Sequence, residues 1–514
     1  MNPNERRIQQ FTELSQFEIH PRSVRMLALS YCQRNSVVVL GKVDRLAGDT
    51  ITVGALNPDD PMLLRNLNAL WHRPVRIVAL NLFEINRALE TGFGLTDPDK
   101  QNARASVKLV LDDRVVAPDA STIDLVDDIV RQALLLHASD IHIESYRDDV
   151  DVRLRVDGVL HQLQTPLSPL NIAAVINRLK IMSNMDITER REPQDGRFRI
   201  DIVEPGPVPR EWDCDFRLSI VPGPHGEDAV IRILGGRVGV MPLDELGMSP
   251  TMQADLAALL SNPEGLILVT GPTGSGKTTT LYSALSHLNT GSRKILTVED
   301  PIEYEVAKVN QKQVSHQLSM SALARSFLRQ DPDIILIGEI RDRDTADVAI
   351  RAAATGHLVL STLHTADALG TIPRFKGMGL GSDRIAEALL GVIAQRLLRR
   401  ICPGCIVSAD ITATHRRRLG GWLDGISPSV GAGCEDCNFT GYKGRTGIYE
   451  LLIVDTDLQD DIAESMHIHE IREKLAKRGF MALVTDAMRK VGAGVTTLDE
   501  VIRVLPYRYL QNVS

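Results

Sequence analysis

The sequence predicts an α/β protein whose centre is a mostly parallel sheet covered by helices on both faces. Between about residues 240 and 400, short apolar segments alternate with segments of helical periodicity, which is typical of parallel sheets. A glycine-rich segment joins the first strand to a helix with regular spacing from Thr279 onward, the context of a phosphate-binding loop. The predicted strands of this sheet are 266–270, 295–298, 334–337 and 357–363.

The glycine-rich segment 271–278 fits the pattern GxxxxGK[ST]. Glycines let the backbone fold around a phosphate, and N–H groups at a helix start point at the anion. Lys277 would neutralise the β and γ oxygens, and Thr278 would offer its hydroxyl to Mg²⁺. The segment therefore predicts nucleoside triphosphate binding, against the alternative of a glycine-rich turn that matches by chance. The predicted ATP-binding residues are Gly271, Pro272, Thr273, Gly274, Ser275, Gly276, Lys277, Thr278 and Thr279.

Length and composition indicate a globular protein of about three or four domains. The chain has 514 residues, of which 43% are hydrophobic and 24% are charged. A net charge of −8 argues against a protein whose main role is coating nucleic acid. The start of the chain has no apolar signal core, and no apolar stretch of about 18 residues occurs, so a cytoplasmic protein is expected.

Changes of pattern along the chain predict five segments. A polar, proline-containing stretch at 112–121 and a glycine pair at 235–236 are the predicted linkers. The first segment has apolar runs at 37–40 and 75–82, enough to fold by itself, and a helix is expected near 82–91. The predicted domains are 1–112, 119–234, 240–400, 401–445 and 446–514, the last of them largely helical.

The second segment has its own pattern of elements. It begins with apolar residues at helical spacing over 123–135, and alternating residues then predict strands at 140–144 and 150–156. Asp157-Gly158 follows the second strand, and this dipeptide is a hairpin turn signal.

Acidic residues follow two of the predicted strands of the central sheet. Most phosphate-loop ATPases place an aspartate where this chain has Gly338, and Glu339 is the next carboxylate. Glu339 would polarise the attacking water, unless it is only a solvated strand-end acid. Glu299, Asp300 and Glu303 follow the preceding strand and could join the Mg²⁺ and water shell, or they could be acids that favour a helix start.

Two histidines and two arginine-rich spots permit more than one interpretation. His364, at the carboxyl end of its strand, could sense the γ-phosphate, while His357 at the other end could equally be a satisfied buried residue. The arginines have no interleaved aromatic residues, which favours a solvated or subunit-contact face over a nucleic-acid footprint. They are Arg396, Arg399, Arg400, Arg416, Arg417 and Arg418.

Four cysteines form two CxxC pairs separated by a loop of moderate length. Four thiolates at this spacing suit tetrahedral Zn²⁺, and a site closed by four protein ligands is structural rather than catalytic. Redox-active dithiols are the alternative. Gly433 and Gly441 would supply the tight turns. The predicted zinc ligands are Cys402, Cys405, Cys434 and Cys437.

Together these motifs resemble those of the secretion ATPases of type II secretion systems and type IV pilus assembly. The resemblance covers residues 120–510, and the first hundred residues only loosely. In this family a Gly-Glu pair at the strand end is usual, which accounts for Gly338. The segments that carry the resemblance are 138–144, 193–197, 271–278, 295–304, 328–342, 355–365 and the four cysteines.

The resemblance implies a RecA-like phosphate-loop ATPase core with α+β N-terminal domains and a small zinc-binding subdomain. It implies a ring of six identical subunits in which a PAS-like domain at 119–234 closes over the nucleotide. The segment Gly226-Glu227-Asp228 departs from the pattern, because it has an acid where relatives often carry lysine, and this puts a local lysine contact in doubt. The catalytic residues that the motifs and the resemblance imply are Lys277, Glu339, His364, Arg197, Arg217 and Arg232.

The family's partners are implied in the same way. Residues 1–112 would dock on the cytoplasmic domain of an inner-membrane secretion protein, and the motor would act on an inner-membrane platform protein. The protein would then lie in the cytoplasm, peripheral to the bacterial inner membrane. The cofactors would be Mg²⁺ and Zn²⁺, with ATP as substrate.

The leading hypothesis is a motor that builds a pseudopilus for type II secretion. A pilus assembly ATPase is the nearest alternative, whereas pilus retraction ATPases generally lack the four cysteines. A nucleic-acid translocase is an alternative of another class, although no nucleic-acid partner is expected. A scaffold that binds nucleotide without hydrolysing it is disfavoured by the intact Lys277, Thr278 and Glu339.

Overall fold

The computed structural model divides the chain into two units, Met1–Val107 and Lys108–Ser514. The predicted linker at 235–236, nearly all of that at 112–121 and much of the predicted helix at 82–91 lie outside the described residues. The structure describes residues 17–112 except 18, 28–30, 33–35, 44–49, 59–60, 72, 81–83, 86–87, 90–91 and 93–106, and residues 121–510 except 206–209, 235–239 and 316.

The first unit contains a three-stranded sheet. A short helix, α1 (Pro21–Val24), precedes β1 (Val37–Leu40), which pairs antiparallel with β2 (Ile51–Ala55). Helix α2 (Pro61–Trp71) then connects β2 to β3 (Val75–Ala79), which pairs parallel with β2. All four residues of β1 are buried, so the predicted apolar run at 37–40 lies in this unit's core.

The second unit begins with a seven-stranded sheet, which we call the capping sheet. Its strand order is β4-β8-β9-β10-β5-β6-β7, and two helices belong to it. Side chains alternate between the two faces of each strand, and one face is apolar, with Phe198 stacked on Phe216 at 4.8 Å between ring centroids. The elements are β4 (Val107–Val110), α3 (Thr122–Leu135), β5 (Asp140–Ser145), β6 (Val150–Val156), β7 (Val159–Gln162), α4 (Ile172–Met182), β8 (Gln194–Glu204), β9 (Arg210–Gly223) and β10 (Gly226–Leu234).

Local sequence explains where these elements begin and turn. Ser121 caps α3, and its hydroxyl and the Asp124 side chain form a reciprocal capping box. Asp157 and Gly158 join β6 to β7 with φ angles of 49° and 83°, the left-handed geometry of a two-residue hairpin. The helix predicted at 123–135 and the strands predicted at 140–144 and 150–156 agree with the observed elements to within one residue at either end.

The central sheet of the second unit has the order β13-β12-β14-β15-β11-β16-β19. Its neighbours pair in parallel except β16 and β19, which pair antiparallel. Every residue of β11, β12, β14 and β15 is buried, which explains their largely apolar sequences. The strands are β11 (Gly265–Thr270), β12 (Ile295–Glu299), β13 (Asn310–Gln313), β14 (Ile334–Ile337), β15 (Leu358–Leu363), β16 (Leu389–Ile401) and β19 (Tyr442–Ile453).

Helices cover this sheet, and further helices follow β19. Asp342, for example, caps α8 by accepting a hydrogen bond from the Thr345 backbone N–H at 2.8 Å. The helices before β16 are α5 (Pro250–Leu260), α6 (Lys277–Leu288), α7 (Met320–Phe327), α8 (Arg343–Ala353), α9 (Thr371–Gly377) and α10 (Ser382–Ala388). Those after it are α11 (Ala413–Leu419), α12 (Thr456–Ala463), α13 (Ile468–Lys477), α14 (Leu483–Gly492), α15 (Leu498–Val504) and α16 (Tyr507–Leu510).

The predicted segment boundaries do not all coincide with the ends of elements. β19 crosses the boundary predicted between 445 and 446, because it pairs with β16 along most of its length. The first unit ends at Val107 rather than near 112, because β4 belongs to the capping sheet. The cysteine-bearing segment between β16 and β19 adds a two-stranded sheet of β17 (Ile406–Ser408) and β18 (Ser429–Gly431).

In the part of the chain that the structure describes, no helix combines the length and the apolarity that crossing a membrane requires.

Candidate nucleotide site and cysteine cluster

The glycine-rich loop connects β11 to α6 and needs its glycines for steric reasons. Gly271, Gly274 and Gly276 have φ angles of 152°, 76° and 88°, which other residues rarely adopt. A Cβ atom on Gly271 would lie 2.5 Å from the Ser275 hydroxyl and 2.6 Å from the Gln395 carbonyl oxygen. Gln395 also donates a hydrogen bond to the Ser275 carbonyl at 2.7 Å, so β16 supports the loop from behind.

Lys277 and Thr278 start helix α6 beside the loop. The Lys277 ammonium donates hydrogen bonds to the carbonyls of Gly271 at 2.9 Å and Pro272 at 3.1 Å. Burial lowers the pKa of Lys277 to about 8, an effect that the negative charge of Glu339 only partly offsets. The Thr278 hydroxyl lies 3.4 Å from a carboxylate oxygen of Glu303.

Glu339 lies just beyond β14 and is held by two basic side chains. Arg341 forms an ion pair with one carboxylate oxygen, and His364 Nε2 lies 3.6 Å from the other. Burial and the charge of Lys277 lower the pKa of His364, so its imidazole is neutral at pH 7. The structure therefore brings together Lys277, Glu339 and His364, whose catalytic roles stay predictions. It also places Arg341 beside Glu339, a residue that sequence reasoning missed although it lies only two positions away.

The acids after β12 differ from one another in their surroundings. Glu299 is only 4% exposed and accepts hydrogen bonds from Tyr282, Thr297 and Gln311. Its oxygens are thus already engaged by protein donors. Glu303 faces Thr278, and desolvation raises its pKa despite that hydrogen bond. Both acids and Asp300 line the same cavity.

A row of charged residues crosses the polar face of the capping sheet. Arg197 on β8, Arg217 on β9, Arg232 on β10, Asp140 on β5 and Arg155 on β6 are successive cross-strand partners. Residues that pair in this way project from the same face of a sheet. Asp140 binds Arg232 at 3.0 Å and lies 3.9 Å from Arg155.

Three of the five residues in this row line the cavity that also contains the phosphate-binding loop, which we call the nucleotide cavity. Arg232, Asp140 and Arg155 line it, whereas Arg197 and Arg217 are exposed and are absent from its lining among the described residues. The alternating sequence of β5 and β6 could have revealed that Asp140 and Arg155 share a face, but not what that face covers.

The cavity has a volume of about 840 Å³ and lies between the phosphate-binding loop and the capping sheet. Arg396, Arg445 and Arg503 also line it. Arg396 and Arg399 therefore do not lie on a solvated face, whereas a solvated or subunit-contact face stays a prediction for the exposed Arg400, Arg416 and Arg417. Arg396 is 6% exposed and donates to the Ala366 carbonyl at 2.7 Å, and Arg399 pairs with the buried Glu500 at 2.6 Å.

His357 and Asp228 have local structural roles. His357 Nδ1 lies 3.0 Å from the Ala352 carbonyl before β15, far from the carboxyl end where His364 lies. Asp228 accepts a hydrogen bond from the Ser145 backbone N–H at 2.8 Å. The acid at position 228 therefore secures the end of β5.

The four cysteines form one compact cluster. Their sulfur atoms all lie within 4.8 Å of one another. Three pairs are separated by 3.8 to 3.9 Å, close to the ~3.8 Å that 2.3 Å Zn–S bonds give in a tetrahedron. Backbone N–H groups of Gly433 and Gly441 donate to the sulfurs of Cys405 and Cys437 at 3.3 Å, and these donors favour thiolates.

The glycines of this cluster are in the turns that the sequence predicts. Gly433 and Gly441 have φ angles of 91° and 77°, and a Cβ on either would collide with neighbouring backbone atoms. The donor set and its spacing fit a tetrahedrally coordinated metal ion. Cys402 and Cys437 are buried, and Cys405 and Cys434 are partly buried.

A phosphate-binding loop at the carboxyl edge of a parallel sheet, with a glutamate beyond β14, two strands away in that sheet, defines the protein as a phosphate-loop ATPase. Comparison with known proteins agrees. The family model "Type II/IV secretion system protein" matches residues 116–503, and a second model, the MshEN domain, matches residues 9–97. The chain belongs to the Type II/IV secretion system protein family.

Individual relatives cover most of the chain. It is 44% identical over 387 residues to type II secretion system protein HxcR of Pseudomonas aeruginosa, covering 75% of this chain and 77% of that one. It is 36% identical over 511 residues to the type IV pilus assembly ATPase PilB of Myxococcus xanthus, covering 95% and 88%. A solved structure of the pilus retraction motor PilT with bound ADP is 28% identical, with a TM-score of 0.50, and covers 73% of this chain and 95% of that one.

Proposed function

We propose that this ATPase is the motor of a type II secretion system, which builds a pseudopilus and drives protein export. The observation that carries the proposal is the meeting of Lys277, Glu339 and His364 in one cavity covered by the charged face of the capping sheet. The similarity to HxcR supports secretion, while the similarity to PilB keeps pilus assembly as the second candidate.

The residues of the phosphate-binding loop hold the triphosphate in this proposal. Lys277 leaves the loop carbonyls and binds the β and γ oxygens, and Thr278 is a ligand of Mg²⁺. Glu303, which faces Thr278, and Asp300 hold water molecules of the Mg²⁺ shell, while Glu299 orients Tyr282 and Gln311 around them.

Glu339 orients the attacking water. Its ion pair with Arg341 holds the carboxylate in place, and the neutral His364 can donate a hydrogen bond to the γ-phosphate or accept one from the water. Arg232 and Arg155, held by Asp140, supply positive charge from the capping sheet. This charge stabilises the triphosphate as its bond breaks.

Arg197 and Arg217 lie outside the cavity of their own subunit, which is the position expected if they serve a neighbouring subunit of a ring. The Arg217→Ala variant should then lower turnover at least tenfold while nucleotide affinity changes little, and wild-type activity per subunit should rise with protein concentration. Phosphate release measured across a dilution series tests both points, and full activity in a monomer would contradict the ring.

The cysteine cluster holds Zn²⁺ in this proposal, in a structural role. Its sulfur spacing and its backbone N–H donors suit four thiolate ligands. We further propose that the first unit docks on the cytoplasmic part of an inner-membrane secretion protein, and that the motor acts on a membrane platform protein. Such docking would place the chain at the cytoplasmic side of the inner membrane.

Replacing the chromosomal copy with the Glu339→Gln variant separates the two candidate functions. Loss of exported proteins with normal surface pili would support the secretion motor, whereas loss of pili with normal export would support pilus assembly. Stimulation of ATP hydrolysis by single-stranded DNA, without stimulation by acidic lipid vesicles, would instead favour a nucleic-acid translocase.

A further inference from the structure

The turn between β6 and β7 reaches from the capping sheet to a distant part of the chain. One Asp157 carboxylate oxygen accepts a hydrogen bond from the Gly444 backbone N–H at 2.8 Å. The other lies 3.5 Å from Arg445 Nε. Asp157, Gly158 and Arg445 all line the nucleotide cavity, so this contact forms part of its wall.

The segment that receives Asp157 is anchored by the cysteine cluster. The Gly441 N–H donates to the Cys437 sulfur at 3.3 Å, and the Gly441 carbonyl accepts from the Cys402 N–H at 3.0 Å. Three residues later, Gly444 donates to Asp157. The position of Gly444 is thus tied to two of the four cysteines through a short stretch of backbone.

The geometry distinguishes this contact from an ordinary surface ion pair. A backbone N–H cannot change rotamer, so Gly444 offers a fixed donor, and a charged acceptor strengthens the hydrogen bond. The Asp157 side chain is 22% exposed, against 40% for Arg445. A charge-assisted hydrogen bond of this kind corresponds to about a tenfold or larger change in an equilibrium constant.

We propose that Asp157, Gly444 and Arg445 form a clasp that holds the capping sheet over the phosphate-binding loop. The cysteine cluster fixes the receiving half of the clasp, so the metal-binding segment controls how long a nucleotide stays bound. Asp157 is a positioning residue in this proposal, because it acts through the closure of the cavity and does not touch the phosphates. The inference rests on nucleotide binding at the loop.

Dissociation of a fluorescent ATP analogue from the full chain tests the clasp. Asp157→Gly removes both contacts yet tolerates the left-handed φ of the turn, and it should raise the dissociation rate about tenfold. Asp157→Asn keeps an acceptor for Gly444 and should raise the rate only about two- to threefold. Asp148→Gly is the matched control, since Asp148 is exposed in the turn at the other end of β6 and lies outside the cavity lining.

Each outcome decides the proposal. A rate in Asp157→Gly within twofold of wild type, or an equal increase in Asp148→Gly, would overturn the clasp. Unchanged circular dichroism and metal content in both variants show that folding is not the cause. Loss of binding in Lys277→Ala, measured alongside, confirms that the analogue reports on the phosphate-binding loop.

Metal removal tests the link to the cysteine cluster. Extracting the metal from wild-type protein with a mercurial and a chelator should raise the rate of nucleotide dissociation to that of Asp157→Gly. Extracting the metal from Asp157→Gly should raise its dissociation rate less than twofold further. If metal extraction and Asp157→Gly instead raise the dissociation rate independently, so that the two increases multiply, the link is overturned. Hydrogen exchange of residues 441–445 should rise on extraction in both proteins, as a readout that does not depend on activity.

Discussion

The cysteine cluster and the nucleotide cavity differ in how much of the chain they need. The four cysteines lie between residues 402 and 437, whereas the cavity draws residues from Ser139 to Val504. A site made by neighbours in sequence can be read from spacing alone. A site assembled from two sheets depends on contacts between distant residues, which a local sequence pattern does not show. Mutations at different residues of such a site should therefore have different effects.

The largest effect is expected at the centre of the cavity. Lys277→Ala should abolish nucleotide binding, whereas Glu339→Gln should keep the dissociation constant within about threefold and lower hydrolysis about 100-fold or more, because only the carboxylate that orients water is lost. Nucleotide affinity and phosphate release measure the two effects. Glu305→Gln is the control, since Glu305 is exposed and lies outside the cavity lining. Wild-type hydrolysis in Glu339→Gln would remove Glu339 from the mechanism.

Loss of one cysteine should disrupt the whole cysteine cluster. Cys402→Ser removes one of four ligands, and since metal binding and local folding share one free energy, the protein should lose its metal and the segment 400–445 should lose hydrogen-exchange protection. Elemental analysis and exchange mass spectrometry measure both losses. Cys214→Ala is the comparison variant, because Cys214 is buried in the capping sheet away from the cluster. If wild-type protein purified in the absence of chelator contains no zinc, the zinc assignment is contradicted.

A smaller effect is expected where α15 meets β16. Burial opposes ionisation of Glu500, but hydrogen bonds from Arg503 and Arg399 lower its pKa to about 2 from an ordinary value of 4.5. A carboxylate with a lowered folded pKa stabilises the protein above its unfolded pKa, and this stabilisation of about 3 kcal/mol is lost as pH falls from 4.5 towards 2.

Glu500→Gln should therefore melt several degrees below wild type at pH 7, and the gap should narrow as pH drops below 4.5. Calorimetry at pH 7, 5 and 3 measures the difference, with the exposed Glu464→Gln as control. If the difference in melting temperature between the two proteins is the same at every pH, the charge of Glu500 does not contribute to stability.

The sequence predicted those features that depend on nearby residues. Buried strands such as 334–337, the phosphate-binding loop and the cysteine pairs each have a local pattern, and the structure has the elements in those places. Arg341 could have been found in the same way, because it follows Glu339 by two residues.

Other parts of the cavity could not be predicted, because they depend on pairing between distant strands. Arg396 is buried only because β16 lies between β11 and β19, and Asp157 reaches Gly444 across 287 residues. The lack of interleaved aromatic residues and the acidic chain had favoured a solvated or subunit-contact face for Arg396. Only the register of the sheet shows that the row from Arg197 to Arg155 lies on one face. Only the lining of the nucleotide cavity shows that three of the five residues reach it.

The smallest effect on hydrolysis is expected from removing the first unit, and the point of truncation decides the result. β4 pairs with β8, the Leu111 N–H donates to the Val203 carbonyl at 2.8 Å, and Arg131 donates to the Asp112 carbonyl at 2.6 Å. Deleting residues 1–106 spares these contacts and should leave hydrolysis within about twofold of wild type.

Deleting 1–112 uncovers the edge of β8 and should lower the melting temperature by several degrees. Equal melting temperatures would show that β4 adds nothing to the capping sheet, and membrane fractionation of the 1–106 deletion like the full chain would place the docking role outside the first unit.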